Sequence, residues 1–167
     1  MLTLGTMLIR LVIAVALGAV IGFERELVGK EAGTRTDILV SAGAAIFTMI
    51  GLLLPYIVAY PGAGSEHLLN IIEVSRGFSV IAGIVTGIGF LGAGLILKRG
   101  DHISGVTTAA SIWFVAAVGI LSGLGLFEFA AIASVGLVLI LFVLRKINLY
   151  SLMNKEKRKQ KFDGDEF

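Results

Sequence analysis

Apolar residues run along the chain in five blocks, each close to twenty residues long and each ended by charged or turn-forming residues. The blocks fall at roughly 3–22, 38–58, 78–97, 107–124 and 127–144. A bilayer's hydrocarbon core takes about 20 helical residues to cross, and only helices or closed barrels satisfy the backbone inside it. The pattern predicts an all-α membrane protein: a five-helix transmembrane domain over 1–145, then a basic tail at 146–167 expected to be disordered. No charged segment precedes the first block and no small-x-small cleavage pattern follows it, so it reads as a retained helix that stops at Glu24-Arg25-Glu26.

The breaks and interruptions refine this picture. Gly18-Ala19-Val20-Ile21-Gly22 forms a small-xxx-small face that lets a second helix approach closely. Pro55 stands near the end of the second span, where a helix stop costs little, and Tyr56 and Tyr60 follow at the expected interface. Beyond the turn signal Pro61-Gly62-Ala63-Gly64, Leu68, Ile71, Ile72 and Val74 alternate with Glu66, Asn70 and Glu73. That predicts a short amphipathic helix on the outer surface, a packed loop being the other reading. In the third span, residues 87–92 match G-x-G-x-x-G, but the dinucleotide fingerprint needs a preceding strand in water and is rejected here. Gly87, Gly89, Gly92 and Gly94 then make either a close-packing helix face or an unwound stretch whose carbonyls line a pore. A gap-free shift of 72 residues aligns Gly22 with Gly94, Gly33 with Gly105, Thr36 with Thr108, and Ala44-Ala45 with Ala116-Ala117. This is a weak signal of a duplicated helical hairpin.

Composition agrees, with 56% hydrophobic and 16% charged residues and a mean hydropathy of +0.94, well away from soluble domains. Without cysteine there are no disulfides or thiolate sites, and His67 and His102 read as isolated loop residues. No Ser–His–Asp set, phosphate-binding lysine loop or HExxH occurs, so no enzyme is expected. Twelve of the fourteen cations lie on one side of the five-span arrangement, which predicts the N-terminus outside and the C-terminus cytoplasmic. The net charge of +2 follows from that asymmetry and does not argue for nucleic acid. The run Lys155–Lys161 is expected to attract anionic lipid headgroups, at about 1 kcal/mol per cation.

Candidate chemistry gathers at the cytoplasmic ends of the second and fourth spans, which open with Gly33-Thr34-Arg35-Thr36 and Gly105-Val106-Thr107-Thr108. Helix N-termini favour anions. Glu24, Arg25, Arg35, Thr36, Asp37, Thr107 and Thr108 therefore form a candidate ligand-bearing vestibule, with simple helix capping as the plainer reading. Mg²⁺ needs hard oxygen ligands, for which Glu24, Asp37 and Asp101 are weak candidates. Arg25 and Arg35 would neutralise such a site, and an internal pair such as Glu24 with Arg35 fits the charge balance better. Arg10 is the one charge well inside a span and a functional candidate on that ground. Pairing with Glu73 or Glu128, or snorkelling to the interface, is its structural alternative.

Four stretches carry a resemblance: GAVIGFERE (18–26), AGTRTDILVSAGAAIF (32–47), TGIGFLGAGLILKR (86–99) and GVTTAASIWFVAAVGILSGLG (105–125). In this order and spacing the chain resembles the MgtC/SapB family over roughly residues 8–130. The resemblance implies a multi-pass protein of the bacterial inner membrane linked to adaptation to low magnesium and, in some pathogens, to survival inside host cells. Longer members carry a soluble C-terminal domain, so the chain is expected to be a short form. Family sequences place Arg before the third span where Ser79 stands here, with Arg76 one turn earlier. The implied role is regulation of membrane cation homeostasis, through contact with the bilayer, with another membrane protein complex or with a second copy. The alternative is a small permease or channel for magnesium or another ion, its vestibule lined by the Gly-rich third helix. No cofactor is expected, Mg²⁺ being the one candidate ion. Spans four and five are apolar after Ser122 and Ser134, which favours the regulator.

Overall fold

The computed structural model describes residues 2–58, 66–99 and 102–147, with side chains described for 2–54, 77–98 and 103–147. In chain order come α1 (Leu4–Leu27), α2 (Thr34–Val58), α3 (Glu66–Leu95), β1 (Leu97–Arg99), β2 (His102–Ser104), α4 (Val106–Leu124) and α5 (Phe127–Ile147). All five helices are long and apolar enough to cross a membrane. The chain divides into two units, Met1–Val135 and Gly136–Phe167, the boundary falling inside α5.

Several boundaries differ from the pattern, each for a local reason. Helix α1 does not stop at Gly22 but carries Glu24-Arg25-Glu26 to Leu27, because Arg25 is buried rather than solvated. Its start is capped by the Thr3 hydroxyl, which accepts from the Thr6 amide at 3.4 Å. Helix α2 starts four residues early, at Thr34, whose amide donates to the Glu26 carboxylate of α1 at 3.1 Å. That carboxylate compensates the positive end of α2 from outside the helix. Residues 66–76 do not form a separate surface helix: they extend α3 into one 30-residue rod. The Gly-rich segment within it is continuous helix, which removes the unwound alternative. His67 therefore sits in α3 and His102 in a strand, not in loops. The antiparallel hairpin β1–β2, with Leu97 opposite Ser104 and Arg99 opposite His102, has no counterpart in the hydrophobic pattern.

Helix α4 begins after Gly105 and ends before Gly125, both left-handed, at φ 85° and 87°. A side chain at Gly105 would collide with the Leu95 carbonyl, so the return from the hairpin requires glycine there. At the other end, the Gly125 amide donates to the Ser122 carbonyl and the Leu126 amide to that of Leu121, a closed Schellman turn.

Within the first unit α2 is central: it packs on α1, α3 and α4, and α4 also packs on α1 and α3. Small residues set the closeness of these contacts. A Cβ at Gly22 would lie 2.6 Å from the Thr34 Cα, and one at Gly18 2.7 Å from the Asp37 carbonyl oxygen. From α4, a Cβ at Gly123 would lie 2.8 Å from the Ala45 carbonyl oxygen, and one at Gly119 would collide with that of Ser41. Two glycine pairs at i, i+4 spacing, one on α1 and one on α4, thus hold both helices close against α2, as close packing in a membrane requires. Ala44, Ile88, Ala116 and Ile120 form the apolar core where α2, α3 and α4 meet.

The α3 glycines behave differently from the packing-face expectation. Gly87, Gly89 and Gly94 have nothing within 4 Å of a would-be Cβ, and Gly92 makes only ordinary contact with Ala109 at 3.5 Å. The proposed repeat also lacks equivalent environments: Gly22 is locked against α2 while its counterpart Gly94 is open. Thr36 is exposed where Thr108 is buried.

Candidate functional site: a buried polar cluster between three helices

Along α2, Asp37, Ser41 and Thr48 fall at i, i+4 and i+11 and so share one helix face. All three are buried. Along α4, Thr108, Ser111 and Ser122 do the same. Arg25 completes the set on α1, only 2% exposed although it lies next to the end of its helix. Polar side chains therefore occur through the whole depth of the α1–α2–α4 packing.

Deep in the bundle these groups are spent locally. The Thr48 hydroxyl donates to the Ala44 carbonyl at 2.8 Å, that of Ser122 to Val118 at 2.9 Å and that of Ser111 to Thr108 at 2.8 Å. Ser41 reaches across to the Ala14 carbonyl of α1 at 2.8 Å, tying α2 to α1. These hydroxyl protons are all engaged by carbonyls, and the glycine contacts bring the helix backbones together along this interface.

The charged end is built otherwise. The Arg25 guanidinium donates to the Thr108 hydroxyl at 3.5 Å, a long contact, and Thr108 donates to the Glu31 carboxylate at 2.7 Å. A chain Arg25–Thr108–Glu31 thus links α1, the α1–α2 loop and the first turn of α4. Asp37 lies beside it, its Cβ 3.0 Å from a would-be Cβ at Gly22, one turn before Arg25. Asp37 is fully buried and neither of its carboxylate oxygens has a hydrogen-bond partner; Arg25 Nε is likewise unpartnered. The opposing charge acting on Asp37 is that of Arg25. Glu31, in the loop and exposed, is held below the usual glutamate range, first by its own backbone amide and then by the Thr108 hydroxyl.

The structure divides the vestibule residues into two groups. Arg25, Asp37 and Thr108 come together inside, with Glu24 half-buried on the adjacent turn, whereas Arg35, Thr36 and Thr107 are exposed. The capping reading fails for α4, whose N-cap is Gly105 with no side-chain bond. Among the described residues no three acids or histidines converge on a metal site, and Arg25 opposes a cation beside Asp37. Asp101, the third weak candidate, lies outside the described residues, as do the basic tail and the Glu73 side chain. Arg10 donates to the Gly123 carbonyl at 2.6 Å, at the C-terminus of α4. There its charge meets the negative end of the helix. The hydroxyl residues at i+4 steps were visible as a pattern; Glu31 gave no signal, because only the tertiary fold carries its loop to α4.

The family model described as the MgtC family matches residues 11–150. YhiD of Escherichia coli strain K12, provisionally named a magnesium transporter, is 39% identical over 149 residues, which make up 89% of this chain and 64% of that protein. Protein MgtC of Brucella abortus strain 2308 is 41% identical over 134 residues, 80% of this chain and 49% of that one. Protein SrpB of Synechococcus elongatus is 38% identical over 133 residues, 75% of this chain and 67% of that one. The chain thus spans between half and two thirds of the length of these relatives. No solved structure matches it.

Proposed function

Because the chain belongs to the MgtC family, we propose that this multi-pass inner-membrane protein is a regulator of cation homeostasis under low magnesium, working through its buried polar cluster. One observation carries the reading: the Arg25–Thr108–Glu31 chain joins a loop to two helices directly above the glycine-clamped α1–α2–α4 interface. A contact made on that loop is transmitted to helix packing through a single hydroxyl. The magnesium assignment given to YhiD supports the ionic context of the reading. Its partner is then another membrane complex or a second copy, with no catalytic step and no bound cofactor.

Conduction has less support. The deep hydroxyls are engaged by carbonyls, and of the α3 glycines Gly83 and Gly87 line an apolar groove rather than a polar path. The donor set beside Arg25 does not suit Mg²⁺, which holds to hard oxygens and resists dehydration. The cation asymmetry supports an arrangement with the N-terminus outside and the cluster at the cytoplasmic face.

Two measurements test this reading together. Purified protein in proteoliposomes should carry no Mg²⁺ down an imposed gradient. In a deletion strain grown in low-Mg²⁺ medium, the wild-type gene should restore growth and Thr108→Val should not, with Thr108→Ser intermediate. Protein-dependent Mg²⁺ flux would establish the permease instead.

A further inference from the structure

Asp37 sits in the first turn of α2, inside the apolar span that opens at Thr34. It is fully buried, and neither carboxylate oxygen has a hydrogen-bond donor. An ionisable side chain within a span is costly and by default serves a function. Arg25 and the positive end of α2 favour its charged form, while burial without a donor favours the neutral one. Arg25 is not committed to Asp37 alone. Its guanidinium also acts on Glu31, reaches Thr108 only by the long contact of 3.5 Å, and leaves Nε without an acceptor. One buried cation is therefore shared between two carboxylates in opposite surroundings. Glu31 is exposed in the loop and held below the usual glutamate range, first by its own backbone amide and then by the Thr108 hydroxyl.

The packing at Asp37 selects what can bind there. From α1, a Cβ at Gly18 would lie 2.7 Å from the Asp37 carbonyl oxygen, and one at Gly22 3.0 Å from the Asp37 Cβ. Contacts this close leave no space on the α1 side for a hydrated ion, and Arg25 repels a bare one. A proton needs no space and removes the charge that burial disfavours. The remaining ionisable groups nearby are placed otherwise. On α1, Glu24 is half-buried and Glu26 accepts from the Thr34 amide. Lys30 in the loop and Arg35 on α2 are exposed, and neither α4 nor α3 from Gly77 to Leu95 carries a charged residue. Among the described residues Arg25 is the one buried cation.

We propose that Asp37 is a proton-binding site whose occupation passes Arg25 from α2 to the Thr108–Glu31 pair, drawing the α1–α2 loop onto α4. The proton comes from water and converts the carboxylate to a neutral carboxylic acid, which ends the attraction that divides Arg25. Glu31 keeps its charge and takes the guanidinium, so the two protonation states favour two arrangements of the loop. The inference names the signal for the regulatory reading and rests on that reading only for its effect in the cell.

Infrared difference spectroscopy of the full-length protein in lipid nanodiscs, titrated from neutral to acidic solution, reads the proton directly. The wild type should gain the carbonyl band of a buried carboxylic acid. Isotope-labelled aspartate, of which the chain has four residues, should shift that band, and Asp37→Asn should lack it. The labelled wild type supplies the assignment without any variant, and circular dichroism checks that the near-isosteric Asp37→Asn keeps its helicity. Because the chain has no cysteine, Lys30→Cys carries a single spin label on the loop. The label should lose mobility over the pH range in which the band appears. With Asp37→Asn it should hold the acid-state mobility at every pH, and with Glu31→Gln it should not respond. A wild type that loses its helicity before any band appears overturns the proposal. So does a band that labelled aspartate does not shift, or a loop response that Asp37→Asn leaves unchanged. Growth in low-Mg²⁺ medium decides the regulatory reading separately: a Thr108→Val gene that restores growth removes that reading, while the band and the label still decide the proton site.

Discussion

Removing the Arg25 charge is the sharpest test of the polar cluster, because the structure makes its cost unequal to that of removing Asp37. Asp37 is fully buried, with no hydrogen-bond donor on either oxygen, and depends on Arg25 for its compensating charge. Arg25→Gln removes the charge that offsets the burial of that carboxylate; since no hydrogen bond joins the two groups, the cost is about 2–3 kcal/mol. Asp37→Asn is milder. Arg25 keeps its contact with Thr108 and, through it, the neighbourhood of Glu31, so the loss is about 1 kcal/mol. Adding Asp37→Asn to Arg25→Gln should then recover about 1–3 kcal/mol, making the double variant more stable than Arg25→Gln alone. Unfolding of the purified protein by sodium dodecyl sulfate titration in mixed micelles measures all three. Two results refute the reasoning. One is a double variant whose loss equals the sum of the single losses within about 0.5 kcal/mol. The other is a reversed order, with Asp37→Asn the costlier single change.

Other expectations follow from the same geometry. Gly22→Leu and Gly119→Leu should abolish the folded protein in the same titration, since their Cβ positions meet α2 backbone, while Gly89→Leu should be tolerated because nothing lies near it. Arg10→Met should cost about 1–2 kcal/mol by leaving the end of α4 without its cation, with Arg10→Lys recovering part of the loss. The Glu31 carboxylate is held below its ordinary value of 4.5, so its contribution is fully present above that range and disappears as pH falls through the lowered value. A titration of stability against pH should therefore keep the Thr108–Glu31 link through neutral and mildly acidic solution, and Glu31→Gln should remove that acid limb.

The contrast between what was readable in the chain and what was not has a physical basis. Span number, approximate position and membrane location follow from hydropathy, because about 20 apolar residues in a row have few other stable destinations. The Gly18–Gly22 contact was readable too, since small residues at i, i+4 let backbones meet wherever a partner helix exists. Which glycines actually meet a partner was not readable. Gly119 and Gly123 are clamped against α2, while Gly87 and Gly89, in the more conspicuous motif, face open space. Local spacing records the shape of a helix face but not which neighbour packs on it. The same limit governed the charges. Arg25 and Arg35 look alike in sequence, ten residues apart near the same loop, yet one is 2% exposed beside Asp37 and the other lies outside. Thr107 and Thr108 are adjacent and face opposite environments, because one residue along a helix turns the side chain by about 100°. Hydropathy alone decided that the chain enters a membrane and how often it can cross. Only the tertiary structure decided which charges are enclosed, since burial belongs to the packing of α1, α2 and α4 together rather than to any one segment.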